Sequence, residues 1–149
     1  MHERVITKMF QWTPDYAVGV PQIDQEHQRL FQMAEEMHQA MLEGKGEAIL
    51  EDLLSRLVKY TIHHFAHEER LMERIGYPDY RQHQIEHAEL CSKVRRMQDR
   101  SDLETIPPGE ILRFLGDWLK YHTTTSDRRI GAYMTMSGTH GHGGQHSSP

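Results

Sequence analysis

The stretch LEDLLSRLVKYTIHHFAHEERLM, residues 50–72, decides the fold. Leu50, Leu53, Leu54, Leu57, Thr61, His64, Glu68, Leu71 and Met72 share one face when the stretch is wound as a helix. Apolar residues at three- and four-residue steps are the mark of an amphipathic helix. Yet the face that carries leucine at one end carries His64 and Glu68 at the other. A buried carboxylate without a partner is very costly, so it must be neutralised, paired or bound to a metal. The segment thus predicts a helix from about Glu47 to Ile75, stopped by Gly76-Tyr77-Pro78, with something polar inside its core.

Three more segments have the same period. The first runs from about Gln22 to Leu42, with His27, Leu30, Phe31, Ala34, Met37 and Met41 in step, and Gly44 and Gly46 end it. The third runs from about Asp79 to Arg100 and aligns Tyr80, His83, His87, Leu90, Val94 and Met97. Pro107 and Pro108 open the fourth, since proline is tolerated in a first helical turn. Its face carries Ile111, Leu115, Trp118 and His122, with Leu112 and Leu119 alongside. No stretch reads as a strand. Four amphipathic helices with short connections imply an all-α, up-and-down antiparallel four-helix bundle over residues 22–131. Residues 1–21, with Pro14, Gly19 and Pro21, read as an irregular N-terminal arm anchored by Trp12 and Tyr16. Residues 132–149 read as a flexible tail, disordered where it turns to Gly, His and Ser.

At 149 residues the chain fits one domain and can bury a core without disulfide help. Seventeen Lys and Arg against 22 Asp and Glu give a formal charge of −5, with no basic run, which argues against nucleic acid as a partner. The lone Cys91 cannot form an internal disulfide and suits a reducing compartment. It reads as a small buried hydrophobe. Met1 to Trp12 has no apolar signal core, and no run approaches the roughly 20 apolar residues of a membrane span. The expected location is the cytoplasm.

Twelve histidines are the unusual figure. A lone core histidine is ordinarily structural. Here His27, His64, His83, His87 and His122, together with Glu68, fall on the apolar stripes of all four helices. His64 and Glu68 are four residues apart, as are His83 and His87, so each pair projects from one helix face. Asp127 lies five residues beyond His122, about 140° off that face on an ideal helix. It reaches the same volume only if the helix bulges or ends there, which Thr123, Thr124 and Thr125 make plausible as poor helix formers. Imidazole suits iron, copper, zinc and nickel, while carboxylate prefers harder ions. Seven donors without a thiolate are too many for one four-coordinate zinc and fit two metals sharing bridging carboxylates. The alternative is a polar-cored bundle with no metal. His63 and His67 point off the stripe and read as surface or supporting residues. Glu35 and His38 form one Glu-x-x-His pattern, where ferritin-like sites need two. His140, His142 and His146 read as a solvated tail.

Several pieces, in order, complete the reading: Tyr16-Ala17-Val18-Gly19-Val20, Ile23-Asp24-Gln25-Glu26-His27, His64-Phe65-Ala66-His67-Glu68-Glu69, Gly76-Tyr77-Pro78, His83 with His87, and Trp118-Leu119-Lys120-Tyr121-His122 with Asp127. Together they resemble the hemerythrins, particularly the bacterial single-domain ones, over about Trp12 to Gly131. The resemblance implies two non-haem iron ions with an oxo or hydroxo bridge. His83, His87 and His122 would bind one iron, His27 and His64 the other, and Glu68 and Asp127 both. It settles Asp127 as a ligand. It implies reversible dioxygen binding, end-on at the iron held by two histidines and stored as a ferric hydroperoxide, for oxygen storage, transport or delivery. The chain is then not an enzyme; the alternatives are an oxygen or redox sensing module, or a di-iron oxidase or peroxidase. Leu30, Phe65, Trp118 and Leu119 are the expected apolar wall of the oxygen pocket. Thr123 stands where the family usually has an aliphatic residue, which implies a wetter site. The expected partners are dioxygen and an oxygen-consuming enzyme or signalling protein, and the expected state is a monomer.

Overall fold

The computed structural model describes residues 8–99 and 106–137. A short 3-10 turn, Pro14–Tyr16, precedes four helices: α1 (Pro21–Leu42), α2 (Glu47–Ile75), α3 (Tyr80–Gln98) and α4 (Pro108–His122). Helix α4 passes through a π turn, Thr123–Asp127, into α5 (Arg128–Ser137). Helix α1 packs on α2 and α4, and α3 packs on the same two. The four-residue links 43–46 and 76–79 leave no room for a crossover, so α2 runs antiparallel to both α1 and α3. There is no strand among the described residues, and no helix among them is long and apolar enough to cross a membrane.

Local chemistry sets the boundaries. Pro21 occupies the first turn of α1, where its missing N–H costs nothing. Gly76 closes α2 in the left-handed region, φ +68, and lets the Tyr77 N–H donate to the Met72 carbonyl at 2.9 Å. The start of α3 falls one residue later than expected, at Tyr80, and its expected end at Arg100 lies outside the described residues. The fourth rod does not stop at residue 131: α5 buries Ile130, Gly131 and Met134 and continues to Ser137. Residues 132–137, expected in the tail, are therefore helical, and residues 138–149 lie outside the described residues.

The core has two apolar ends. One holds Leu30, Ala34, Met37, Leu54, Leu57, Phe65, Leu90, Val94, Ile111, Leu112, Leu115 and Leu119. The other holds Val18, Val20, Ile23, Met72, Tyr77, Ile130 and Met134. On α1, α2 and the α4–α5 rod the buried polar residues sit between a residue of one cluster and a residue of the other. The centre is thereby roofed and floored by apolar packing.

The arm is tied to the bundle by polar and apolar contacts. Asp24 accepts the Val18 N–H at 2.8 Å and the Gly19 N–H at 3.3 Å. Tyr16 meets Phe31 edge-on with ring centroids 4.8 Å apart. Trp12 is only half-buried; the deeper anchor is Phe10, 3% exposed, whose N–H donates to Glu35 at 2.9 Å.

Candidate metal centre

The five histidines and two carboxylates singled out in the sequence come together. His27, His64, Glu68, His83, His87, His122 and Asp127 are each no more than 4% exposed. Their donor atoms form two groups: His83, His87 and His122 with Glu68 and Asp127, and His27 and His64 with the same two carboxylates. Each carboxylate divides its oxygens between the groups. Glu68 Oε1 lies 3.1 Å from both His83 Nε2 and His87 Nε2, while Oε2 faces His64 Nε2 at 3.5 Å and His27 Nε2 at 3.9 Å. Asp127 Oδ1 lies 2.9 Å from His83 Nε2 and 3.2 Å from His122 Nε2, and Oδ2 lies 3.0 Å from His27 Nε2.

These atoms are close without being well paired. His27 Nε2, His64 Nε2, His87 Nε2, Glu68 Oε2 and Asp127 Oδ1 are buried with no hydrogen-bond partner. Buried polar atoms are nearly always satisfied, so each such exception needs an explanation. Donors aimed at a shared point, instead of at one another, provide it. His83 Nε2 and His122 Nε2 are 3.0 Å apart, and two donors about 2.1 Å from one ion in adjacent positions would lie about 3 Å apart. The residues present fit a pair of ions that share Glu68 and Asp127.

Asp127 reaches the centre through the π turn. One extra residue per turn keeps the carboxylate on the wall of His122, which a regular α-helix would not. Thr124 Oγ1 donates to the Lys120 carbonyl at 3.0 Å and Thr125 Oγ1 to the Tyr121 carbonyl at 2.7 Å. Such back-bonding weakens the regular ladder and favours a bulge. Thr123 is itself buried.

The outer nitrogens of His64, His87 and His122 face three carboxylates that the sequence reading did not single out. His64 Nδ1–H donates to Glu26 at 2.6 Å, and His87 Nδ1–H to Glu69 at 2.8 Å. His122 Nδ1 lies 3.4 Å from Glu86, which also accepts the Ser126 hydroxyl at 2.8 Å. Each carboxylate stands beside a ligand in sequence yet serves a histidine of the next helix: α1 to α2, α2 to α3, α3 to α4. A carboxylate behind an imidazole fixes its tautomer and orientation and raises its basicity toward a metal. The only signal in the sequence was adjacency, in Glu26-His27, Glu68-Glu69 and Glu86-His87.

The electrostatics follow from the packing. Burial alone disfavours a charged His64, but the carboxylates of Glu68 and Glu26 outweigh it and raise its pKa to about 10. His83 is raised to about 10 against the same burial by Asp127 and Glu68. Glu68 and Asp127 are held below the usual carboxylate range, since the surrounding histidines overcome both burial and the mutual repulsion of the two acids.

The expected pocket residues differ in where they lie. Phe65 stacks on His87 with centroids 3.7 Å apart and planes within 4°, and Trp118 stacks on His122 at 4.1 Å. Both aromatics therefore press on the three-histidine group. Leu30 and Leu119 are buried in the same apolar cluster. His63 is exposed, and His67 donates from Nδ1 to Glu26 at 2.5 Å. Glu35 and His38 stay outside the centre: Glu35 accepts from Phe10, and His38 packs on the Phe10 ring. Cys91 is half-buried against the core, and burial pushes its thiol up.

The sequence model of the hemerythrin HHE cation binding domain matches residues 18–133. A bacteriohemerythrin of Pseudomonas aeruginosa is 33% identical over 116 residues, 78% of this chain and 75% of that one. A bacteriohemerythrin of Clostridium acetobutylicum is 30% identical over 128 residues, 80% of this chain and 97% of that one. A crystal structure of wild-type hemerythrin shares the fold with a TM-score of 0.71 and 26% identity, over 83% of this chain and 96% of its own. The chain belongs to the hemerythrin family.

Proposed function

We propose that this protein binds dioxygen reversibly at a non-haem di-iron centre and serves as an oxygen store or carrier. The observation that carries the reading is the division of Glu68 and Asp127 between two histidine groups. His83, His87 and His122 would hold one ion and His27 and His64 the other, with Glu68 and Asp127 available to both. Two ferrous ions bound there would supply the electrons with which dioxygen is taken up and, on release, returned.

The chain's own residues supply the rest. Imidazole-rich ligation stabilises the lower oxidation state better than an all-carboxylate set, which favours reversible uptake over oxidation of a substrate. His27 and His64 offer one imidazole fewer than the other group, so an open position is expected on their side. Glu26 orients the His64 ring from behind, and Glu69 and Glu86 do the same for His87 and His122. The apolar clusters above and below the centre keep bulk water, and the protons it would deliver, away from it.

The test is an optical spectrum of iron-loaded protein, reduced without air, exposed to oxygen and then degassed. Charge-transfer bands that rise with oxygen and vanish on degassing are expected. Rapid passage to a stable ferric form would favour an oxidase or a redox sensor instead. No iron uptake would overturn the reading.

A further inference from the structure

Helix α2 carries two metal-ligand spacings offset by one residue. The buried one is His64 with Glu68. The outer one is His63 with His67, about 100° around the helix. The outer imidazoles stack obliquely with centroids 4.6 Å apart. Glu26 of α1 faces them, its Oε2 at 2.5 Å from His67 Nδ1. One donor atom from each of Glu26, His63 and His67 lies within 4.8 Å of the other two. We propose that Glu26, His63 and His67 form a second, surface metal site for a zinc-class divalent cation, separate from the buried centre.

Two imidazoles and one carboxylate, with the remaining positions open to water, are a donor set that zinc accepts readily. Copper(II) and nickel(II) accept it too. The site is partly built before any ion arrives. Glu26 Oε1 accepts from His64 Nδ1 at 2.6 Å, which fixes the carboxylate and leaves Oε2 turned outward. A ligand held from behind in this way loses less freedom on binding. His63 is exposed and His67 half-buried, so both rings can adjust to an ion in a way the seven buried donors cannot. Arg70 and Arg74 line the adjoining hollow with Glu26 and His67, and their positive charge weakens the site relative to the inner one. The ligand is therefore an ion taken up with moderate affinity from solvent.

The experiment is a zinc titration of full-length iron-loaded protein at fixed pH, read by competition with a chromophoric chelator. One zinc equivalent per chain is expected beyond any bound at the buried centre. His63→Gln should weaken that equivalent by at least about tenfold, with the helical circular dichroism unchanged because the side chain is exposed. Replacing His140, His142 and His146 by alanine should leave it in place. No additional equivalent, or one that survives His63→Gln, would overturn the proposal, as would one abolished only by the tail substitutions. The difference between wild type and His63→Gln reads the outer site whatever fills the inner one. A failure of the di-iron reading is thus distinguishable from a failure of this one.

Discussion

Glu69 shows what single residues do here. Its carboxylate takes the His87 Nδ1–H at 2.8 Å, so the ring cannot rotate and its Nε2 is left facing Glu68 and the centre. Glu69→Gln keeps a hydrogen-bond acceptor of the same shape but removes the charge that makes the imidazole a strong donor. Iron affinity, measured by competition with a chelator, is expected to fall by about ten- to a hundredfold. An affinity within twofold of wild type would show that the contact only positions the ring. Six of the seven central residues were legible because each breaks the apolar pattern of its own helix; Asp127 lies off that pattern and was legible through the family resemblance. Glu26, Glu69 and Glu86 were not, because a carboxylate on a polar face looks like any solvated one. Only the partner, which belongs to another helix and becomes adjacent on folding, gives such a residue its role.

Among the elements, the seam between the arm and α5 is tightly set. A Cβ added at Gly131 would lie 1.7 Å from the Val18 carbonyl oxygen, which is backbone and cannot swing aside. A Cβ at Gly116 would lie 2.0 Å from the Phe10 ring, a side chain that can turn about its own bonds. Gly131→Ala is therefore expected to destabilise the protein by about 1–3 kcal/mol, read from denaturant unfolding, and Gly116→Ala by less. Equal losses would mean that Phe10 is held as rigidly as the Val18 backbone. Neither contact was visible in the sequence, because a close approach between segments more than a hundred residues apart leaves no local pattern. The helix limits were legible where a proline or glycine marks them, as at Pro21, Gly76 and Pro108. The extension to Ser137 was not, since Arg128 and Arg129 interrupt the stripe before Ile130 and Met134 resume it. The five-residue step from His122 to Asp127 did signal a bulge or an end, and the structure has the bulge, the π turn that joins α4 to α5.

At the scale of the whole molecule, the buried charges tie stability to pH and to metal. Without metal, His64 and His83 have pKa values of about 10 in the fold against 6.5 unfolded. A raised pKa contributes stability in full below 6.5 and loses it as the pH climbs through about 10. Glu68 and Asp127 are lowered from 4.5 and 3.8, so their contribution is complete above those values and fades as the pH falls through the folded ones. The metal-free protein should accordingly be most stable between about pH 4.5 and pH 6.5. Metal acts on the same groups in the opposite sense. An ion must displace the protons on His64 and His83 before their nitrogens can bind, so affinity rises with pH. Because metal binds the folded chain alone, the stabilisation it confers grows with that affinity. The gap in melting temperature between iron-loaded and chelator-stripped protein should therefore widen from about pH 6 to about pH 9, chiefly because the stripped form weakens. Thermal unfolding of both forms across that range checks it. A gap that stays constant or narrows would mean that His64 and His83 are already neutral in the metal-free fold, with the carboxylates satisfied by some other partner.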